Sequence, residues 1–531
     1  MTKHFDYIII GGGSAGSVLA ARLSEDPGVT VLLTEAGGGG RSPLIQIPLG
    51  MAVTVPGFAH NWAFETVPQA GFNGRKGYQP RGKALGGSSA INAMIYTRGH
   101  PEDYNDWARL GLADFGWDEV LPWFRHSEAN NRLTAPYHGT DGPLGVADLP
   151  YHNPMIDAYI EAGREAGHTL TDDFNGASQE GVGRYQVTQR RGLRCSAAKA
   201  FLHPAMNRPN LTVMTRTQAT RLEVGENGVT GVWAMHGNGP QQLYKARREV
   251  VLCAGAFQSP QLLMLSGIGP VDELKTHGLP VIHEHAQVGA NLQDHLDYIS
   301  AWRSPSPHLI GYGAMGLARV AASLPNYLTR GRGIIASNVA EGGAFLKTQA
   351  DLERPDTQFH FLVGLADDHN RKLHYGQGFS IHACQLRPHS RGHLGLYDRN
   401  PLSPPRIDPA FLSDERDLYA LLRGVKLSRE LIMQPALDRY RGKPMYIGDN
   451  ASDDELIHSL RERADTIYHP VGTCRMGVDA DAVVDTRFRV RGLSGLRVVD
   501  ASVMPTLIGG NTNAPTIMLA ERAAHWMRKG E

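Results

Sequence analysis

At 531 residues the chain is too long for one ordinary domain, given roughly 100–200 residues per domain. Its 53 Lys and Arg balance 53 Asp and Glu, which excludes a strongly basic nucleic-acid binder or a polybasic membrane anchor as the default reading. Hydrophobic residues at 41% and charged residues at 20% describe a globular chain, and 61 glycines exceed the usual share of about 7%, which predicts tight turns and close backbone approaches.

Along the chain, Tyr7–Ile10 is a short apolar, β-branched run that reads as a buried strand, too short for a secretory leader. It ends in Gly11-Gly12-Gly13-Ser14-Ala15-Gly16, followed by the helical spacing of Val18, Ala21 and Leu23 and a second strand over Val29–Leu33. Gly11, Gly13 and Gly16 fit G-x-G-x-x-G. The first permits the turn, the second lets a pyrophosphate reach the backbone, and the third lets helix and strand pack closely. The helix start offers N–H groups to phosphate, and Glu35, nineteen residues after Gly16, is spaced to accept from ribose hydroxyls. This pattern does not separate FAD from NAD. The same residues also satisfy G-x-S-x-G, so an α/β-hydrolase with Ser14 as nucleophile is the rival from another class. Only ten residues precede Gly11, too few for an oxyanion-hole strand, and Glu35 would have no task.

Gly86-Gly87-Ser88-Ser89 reads as a loop of free N–H groups and small side chains. Arg190, Arg191 and Arg194 hint at an anion site but read more simply as a solvated turn. Val250–Ala256 is a further buried strand ending in glycine. His283-Glu284-His285 lacks metal-binding spacing, and no metal site is expected. His308 to Met315, with three glycines and a tyrosine, is a lid candidate. Asp367, Asp368 and His369 read as a solvated charged loop, with the pocket as the alternative. Asn400–Pro405 is a turn. Leu496–Asp500 is a strand ending in an acid that faces a ligand or caps the next segment. Asn511 to Asn513 offer helix caps, Pro515 suits a first helical turn, and Ile517–Ala524 is a good helix former. The four cysteines, Cys195, Cys253, Cys384 and Cys474, are far apart and read as reduced thiols of a cytoplasmic protein. No apolar run approaches the roughly 18 residues of a membrane span.

Longer patterns carry a resemblance. Gly82-Lys83-Ala84-Leu85-Gly86-Gly87-Ser88-Ser89-Ala90-Ile91-Asn92, with Tyr96, Gly99 and Asn105 after it, and Gly255–Gly269 are similar to the two signatures of the glucose–methanol–choline (GMC) oxidoreductases. Gly289–His295, Gln385–Pro388 and His469–Gly477 match further, so the resemblance spans the chain. It implies an α/β (α+β overall) fold. A Rossmann-like FAD domain would comprise 1–155, 195–298 and 466–531, and a discontinuous substrate domain, an antiparallel sheet with helices, would comprise 156–194 and 299–465. It implies oxidation of a primary, sugar or polyol alcohol by hydride transfer to flavin N5. The acceptor would be a quinone or another dehydrogenase acceptor, with O₂ as the oxidase alternative and an NAD enzyme as a remote one.

By the same resemblance His469 is the catalytic base and Asn513 donates to the developing alkoxide. The implied FAD contacts are Gly11, Gly13, Ser14, Ala15, Gly16, Glu35, Ala36, Arg81, Leu85, Gly86, Gly87, Ser88, Asn92, Ala93, Met94, Ala219, Ala254, Gly255, Asp500, Ala501, Asn511, Asn513, Pro515 and Thr516. The positive end of the last helix is expected at the flavin N1–C2=O edge. Some members bind FAD covalently through a histidine before the motif asparagine. Ile91 stands here before Asn92, so FAD is expected to be non-covalent. No nucleic-acid partner or integral membrane segment is expected, while peripheral association with the inner membrane stays open.

Overall fold

The computed structural model describes residues 3–531. One seven-stranded sheet runs in the order Leu211–Met214, Val31–Thr34, Lys3–Ile10, Gln241–Leu252, Gly228–His236, Thr217–Gly225, with Leu496–Val498 also pairing to Gln241–Leu252. Leu211–Met214, Val31–Thr34, Lys3–Ile10, Gln241–Leu252 and Leu496–Val498 are joined by parallel pairings, while the two outer hairpin strands are antiparallel. A parallel sheet is covered on both faces, so its strands are continuous apolar runs rather than alternating ones. Ile8, Ile9, Val31–Leu33 and Val250–Leu252 are accordingly buried. Helices Ser14–Leu23 and Asn513–Lys529 pack together on this sheet, tied by Arg22 donating two 2.8 Å bonds to Glu521. The latter helix is buried from Ala514 to Ala524, as its apolar composition dictates.

The parallel strands end at one edge. The residues that follow them, Gly11, Glu35, Ala254-Gly255 and Asp500, therefore converge on the carboxyl edge, where an open α/β sheet takes its ligand.

The second sheet runs Asp465–Thr466, Leu296–Arg303, Gly378–Gln385, Thr357–Leu362, Ala340–Leu346, Gly181–Arg184, Leu170–Thr171, antiparallel except for its last pair. The expected boundary at 298/299 cuts a strand. All eight residues of Leu296–Arg303 belong to the second sheet, because Asp297 to Arg303 pair without a break with Gly378 to Cys384. Side chains alternate across this sheet. Tyr298, Phe359, Phe361, Ile381 and Ala383 enter a core with helices Pro154–Glu165 and Glu415–Ile432, where Tyr159 stacks on Phe361 at 4.4 Å. Their neighbours Ile299, His360, Leu362 and His382 turn the other way, into the cleft. Among the described residues no helix is long and apolar enough to cross a membrane.

Candidate active site

One cleft runs from the carboxyl edge of the first sheet to the inner face of the second. At the first end, Gly11 adopts φ +100°, open to glycine, and a Cβ there would sit 2.5 Å from the Cys253 carbonyl oxygen. The helix after it begins at Ser14 with no side-chain cap, so its first N–H groups are left for a ligand. Gly87 packs so close to Gly13 that a Cβ on it would meet the Gly13 Cα at 2.7 Å, which keeps this floor free of side chains. Glu35 accepts from the backbone N–H of Gly12 at 2.9 Å and of Gly37 at 2.7 Å. Burial pushes its carboxyl up to about 7, against the pull of those bonds and of Lys83. Arg81 lines the cleft and donates to the Tyr468 carbonyl at 3.0 Å, while its Nε and Nη2 find no acceptor among the described residues. Burial lowers its pKa to about 10.

At the other end, His469 stands in a chain of side chains that fixes its tautomer. The His295 Nε2 lies 3.3 Å from the Leu386 carbonyl, which can only accept, so His295 carries its proton there. Burial first, then the Arg387 cation, hold His295 down at about 3, so it is neutral and its Nδ1 is a lone pair. That lone pair lies 3.0 Å from His469 Nδ1, which must then be the donor. His469 Nε2 is left as a lone pair on the cleft side, accepting from Asn511 Nδ2 at 3.1 Å. Asn511 is oriented by Thr97 and Gln358, which donate to its Oδ1 at 3.0 and 3.2 Å. The backbone N–H of His469 donates to Asp294 at 2.8 Å, and Asp294 also accepts from the Thr466 hydroxyl at 2.5 Å; burial pushes this carboxyl up to about 6. Burial, His295 and Arg81 keep His469 well below the usual histidine range, so it is an uncharged base at neutral pH. An alcohol oxygen entering here meets a lone pair and an amide N–H side by side.

Of the expected contacts, all but Gly16, Leu85, Gly86 and Pro515 line the cleft. Gly16 packs beneath, its missing Cβ leaving room for the Gly11 carbonyl. Leu85 is buried beside Gly12. Gly86 turns the loop at φ +98°. Pro515 is buried in the first turn of the last helix, whose cap position is Thr512. Asp500 faces the cleft, and it holds the Gly255 N–H at 2.9 Å and the Ser502 N–H at 2.8 Å.

Four expectations are corrected. Asn513 does not stand beside His469. As the first residue of its helix it points to the opposite helix, where its Oδ1 accepts from Ser14 at 2.8 Å, and Asn511 takes the place beside the imidazole. The same contact employs the Ser14 hydroxyl, and among the described residues no histidine reaches it, which removes the hydrolase reading. Arg194 is fully buried, not in a solvated turn: its Nε and Nη1 donate to the carbonyls of Ile45 and Asn92 at 2.9 and 2.7 Å. Asp367 and His369 are also buried. Asp367 accepts from Arg463 and His374, each at 2.7 Å, while His369 contacts the Tyr468 hydroxyl at 2.7 Å and Asp465 at 3.2 Å and lines the cleft. The segment His308–Met315 does not line the cleft. His283 and His285 reach backbone carbonyls at 2.9 and 3.2 Å. His295 sits in the Gly289–His295 match, which was the available signal for it; nothing in the sequence assigned it a partner.

The family model for GMC oxidoreductases matches residues 5–297 and 388–520. An "Alcohol dehydrogenase [acceptor]" of Pseudomonas putida is 47% identical over 98% of this chain and 95% of its own length. An "Oxygen-dependent choline dehydrogenase" of Cronobacter sakazakii is 42% identical over 99% and 95%. The crystal structure of pyridoxine 4-oxidase from Mesorbium loti superposes with a TM-score of 0.89 at 33% identity, covering 99% of each chain. On these grounds, and with the cleft just described, the chain belongs to the GMC oxidoreductases and is an FAD-dependent enzyme.

Proposed function

We propose that the enzyme oxidises an uncharged primary alcohol to its aldehyde, with His469 as the base and Asn511 as the alkoxide donor. The observation that carries this reading is the hydrogen-bond chain from Leu386 through His295, which leaves His469 Nε2 unprotonated inside the cleft. The residues of the cradle fit FAD: an uncapped helix start and bare glycine floor for the pyrophosphate, Glu35 for a ribose, and a buried Arg81 with two unpartnered nitrogens as an anion partner. Ile91, which lines the cleft, has no nucleophilic atom, in keeping with non-covalent binding. When bound, FAD supplies the two-electron acceptor that takes a hydride from the carbinol carbon. His469 Nε2 takes the hydroxyl proton, Asn511 Nδ2 hydrogen-bonds the oxygen as charge grows on it, His295 holds the imidazole in register, and Asp294 holds the backbone N–H of His469.

The lining favours an uncharged substrate. The carboxylates in it are Glu35 and Asp500, both on the edge of the first sheet, and two of its aromatic rings already face protein cations: Trp62 has Lys83 4.0 Å from its centroid, and Phe257 has Arg81 at 5.5 Å. A quaternary ammonium would find no carboxylate in the lining beside His469 with which to form an ion pair. We expect kcat/KM for an uncharged primary alcohol to exceed that for choline by about tenfold or more, the cost of losing roughly 1–2 kcal/mol of cation recognition. Steady-state assays with a dye acceptor check this, and equal values would refute the substrate class.

The relatives' names divide between acceptor-linked and oxygen-dependent enzymes. We place this chain with the acceptor-linked ones, and with a quinone-like acceptor, on its higher identity to that relative. Rapid reoxidation by air in stopped flow would assign it to the oxidases. The four cysteines are buried free thiols, which supports a cytoplasmic location. The base adds a pH prediction. Because burial lowers the His469 pKa, the neutral form persists into mild acid, and the acid limb of kcat/KM should fall below the ordinary histidine value of about 6.5. A limb centred above that value would contradict the assignment. Anaerobic bleaching of the bound flavin across a panel of alcohols tests the whole reading without assuming an acceptor.

A further inference from the structure

Asn511 reaches His469 from a segment with no regular structure of its own. Residues 504–512 are neither helix nor strand, and Gly509 and Gly510 stand immediately before Asn511. Two consecutive glycines leave a chain free to move unless something outside it holds the backbone. The holder is the helix Pro101–Arg109. Asp103 and Trp107, four residues apart, share one face of it, and both are buried. The Trp107 Nε1–H donates to the Thr506 hydroxyl at 2.9 Å, and the Gly509 N–H donates to Asp103 Oδ2 at 2.7 Å.

Asp103 also has a local task. As the third residue of its helix it accepts the His100 N–H at 2.8 Å and so caps the helix start. One oxygen would be enough for that. Its other oxygen accepts from Arg387 Nη1 at 2.5 Å and from Arg354 Nη1 at 3.2 Å, so four donors fill the carboxylate. Arg387 lies so close to Gly509 that a Cβ on the glycine would stand 2.5 Å from Arg387 Nη2. The chain neighbour of Arg387 is Leu386, whose carbonyl takes the His295 proton and so fixes the tautomer of His469. One carboxylate therefore joins the residue beside the end of the base's hydrogen-bond chain to the residue two before the alkoxide donor. Neither tie is local: 284 residues separate Asp103 from Arg387, and 406 separate it from Gly509.

We propose that Asp103 is a positioning residue for the reaction. It does not line the cleft; it sets the place of His469 against Asn511 by holding Arg387 and Gly509 at once. The proposal rests on the base and donor assigned above. A displacement of about 1 Å between groups that act on one oxygen costs about a hundredfold in rate. The cofactor cradle, at the other end of the cleft, would be untouched.

The test is Asp103→Asn in the holoenzyme, read by anaerobic bleaching of the flavin over a range of alcohol concentrations. Asparagine keeps the size and one acceptor oxygen, enough for the cap, but its amide nitrogen cannot accept from Gly509 or Arg387. The expected result is a bleaching rate at saturating alcohol lower by about tenfold or more, at full amplitude, with flavin content unchanged and half-saturation within about threefold of wild type. Loss of folded protein would instead lower the amplitude and leave the rate. That outcome overturns the proposal, and so does a rate within about threefold of wild type. Gly509→Ala reaches the same contact by another route and decides the matter if the asparagine variant does not fold. Its Cβ meets the tip of a flexible side chain, so Arg387 can swing off Asp103 while the backbone stays. Slow bleaching at full amplitude is expected, and a wild-type rate overturns the proposal. Arg354→Met is the control, because Arg354 makes its hydrogen bonds to Asp103 and Asp106 alone among the described residues. It should bleach at the wild-type rate; a loss equal to that of Asp103→Asn would make the acid a general structural tie and end the positioning role. His469→Gln separates this proposal from the reading beneath it. Normal bleaching by that variant removes the base and the proposal together, whereas slow His469→Gln beside normal Asp103→Asn removes the positioning role alone.

Discussion

Replacing His469 with glutamine is expected to slow substrate-driven bleaching of the flavin by about 10²–10⁴-fold while leaving FAD bound and the fold intact. An alcohol hydroxyl does not ionise near neutral pH, so hydride loss from its carbon requires a group that accepts the proton in the same event. His469 Nε2 is the cleft-facing nitrogen left unprotonated by the chain through His295, and its neighbour Asn511 can donate but cannot take a proton. Glutamine is close in size and polar, so the contact to Asn511 can be kept and only the basic lone pair is lost. The fold should tolerate the change, because the Asp294 bond goes to the backbone N–H of residue 469, which glutamine retains. Anaerobic stopped flow at 450 nm (the general absorption of an oxidised flavin) reads the rate, and the resting absorbance per protein reads occupancy. A variant that bleaches within threefold of wild type would remove His469 as the base.

The nucleotide end of this cleft was legible because its signal is local. A buried strand, three glycines at fixed spacing, a helix and an acid follow within some thirty residues, and each needs only its neighbours to act. The catalytic end was legible only through longer patterns, and its pairings were not. Asn511 and Asn513 are two residues apart and chemically identical. Which of them meets His469 is decided by where the helix begins: Asn513 is its first residue and is carried toward Ser14, while Asn511 precedes it. Arg194 and Asp367 read as solvated charge because their partners are distant in sequence: Ile45 and Asn92 for the one, Tyr446 and Arg463 for the other. A charged residue is buried when paired, and pairing at a separation of a hundred residues leaves no local trace. The boundary at 298 failed for a related reason. An antiparallel strand is defined by its partner, and the partner of Leu296–Arg303 lies at Gly378–Gln385.

Gly16→Ala should remove both stability and cofactor, by a route separate from the chemistry. A Cβ at this position would stand 1.9 Å from the Gly11 carbonyl oxygen and 3.3 Å from the Cys253 Cβ. The nearest atoms are backbone in the turn itself, so no flexible side chain can yield; the helix Ser14–Leu23 must move off the strand Lys3–Ile10. Overpacking of this kind costs about 1–3 kcal/mol, and more where backbone must shift. The displaced helix start would also carry its uncapped N–H groups away from the phosphate position. The expected result is a melting temperature several degrees lower and a protein purified with little flavin. Gly39→Ala is the matched control: it lies in the loop after Glu35, and a Cβ there meets nothing within 4 Å, so it should keep both properties. Calorimetry with the flavin-to-protein absorbance ratio measures the two effects together. If the alanine variant at position 16 melts with wild type and carries full FAD, the close packing of this helix on its strand is not what builds the cradle.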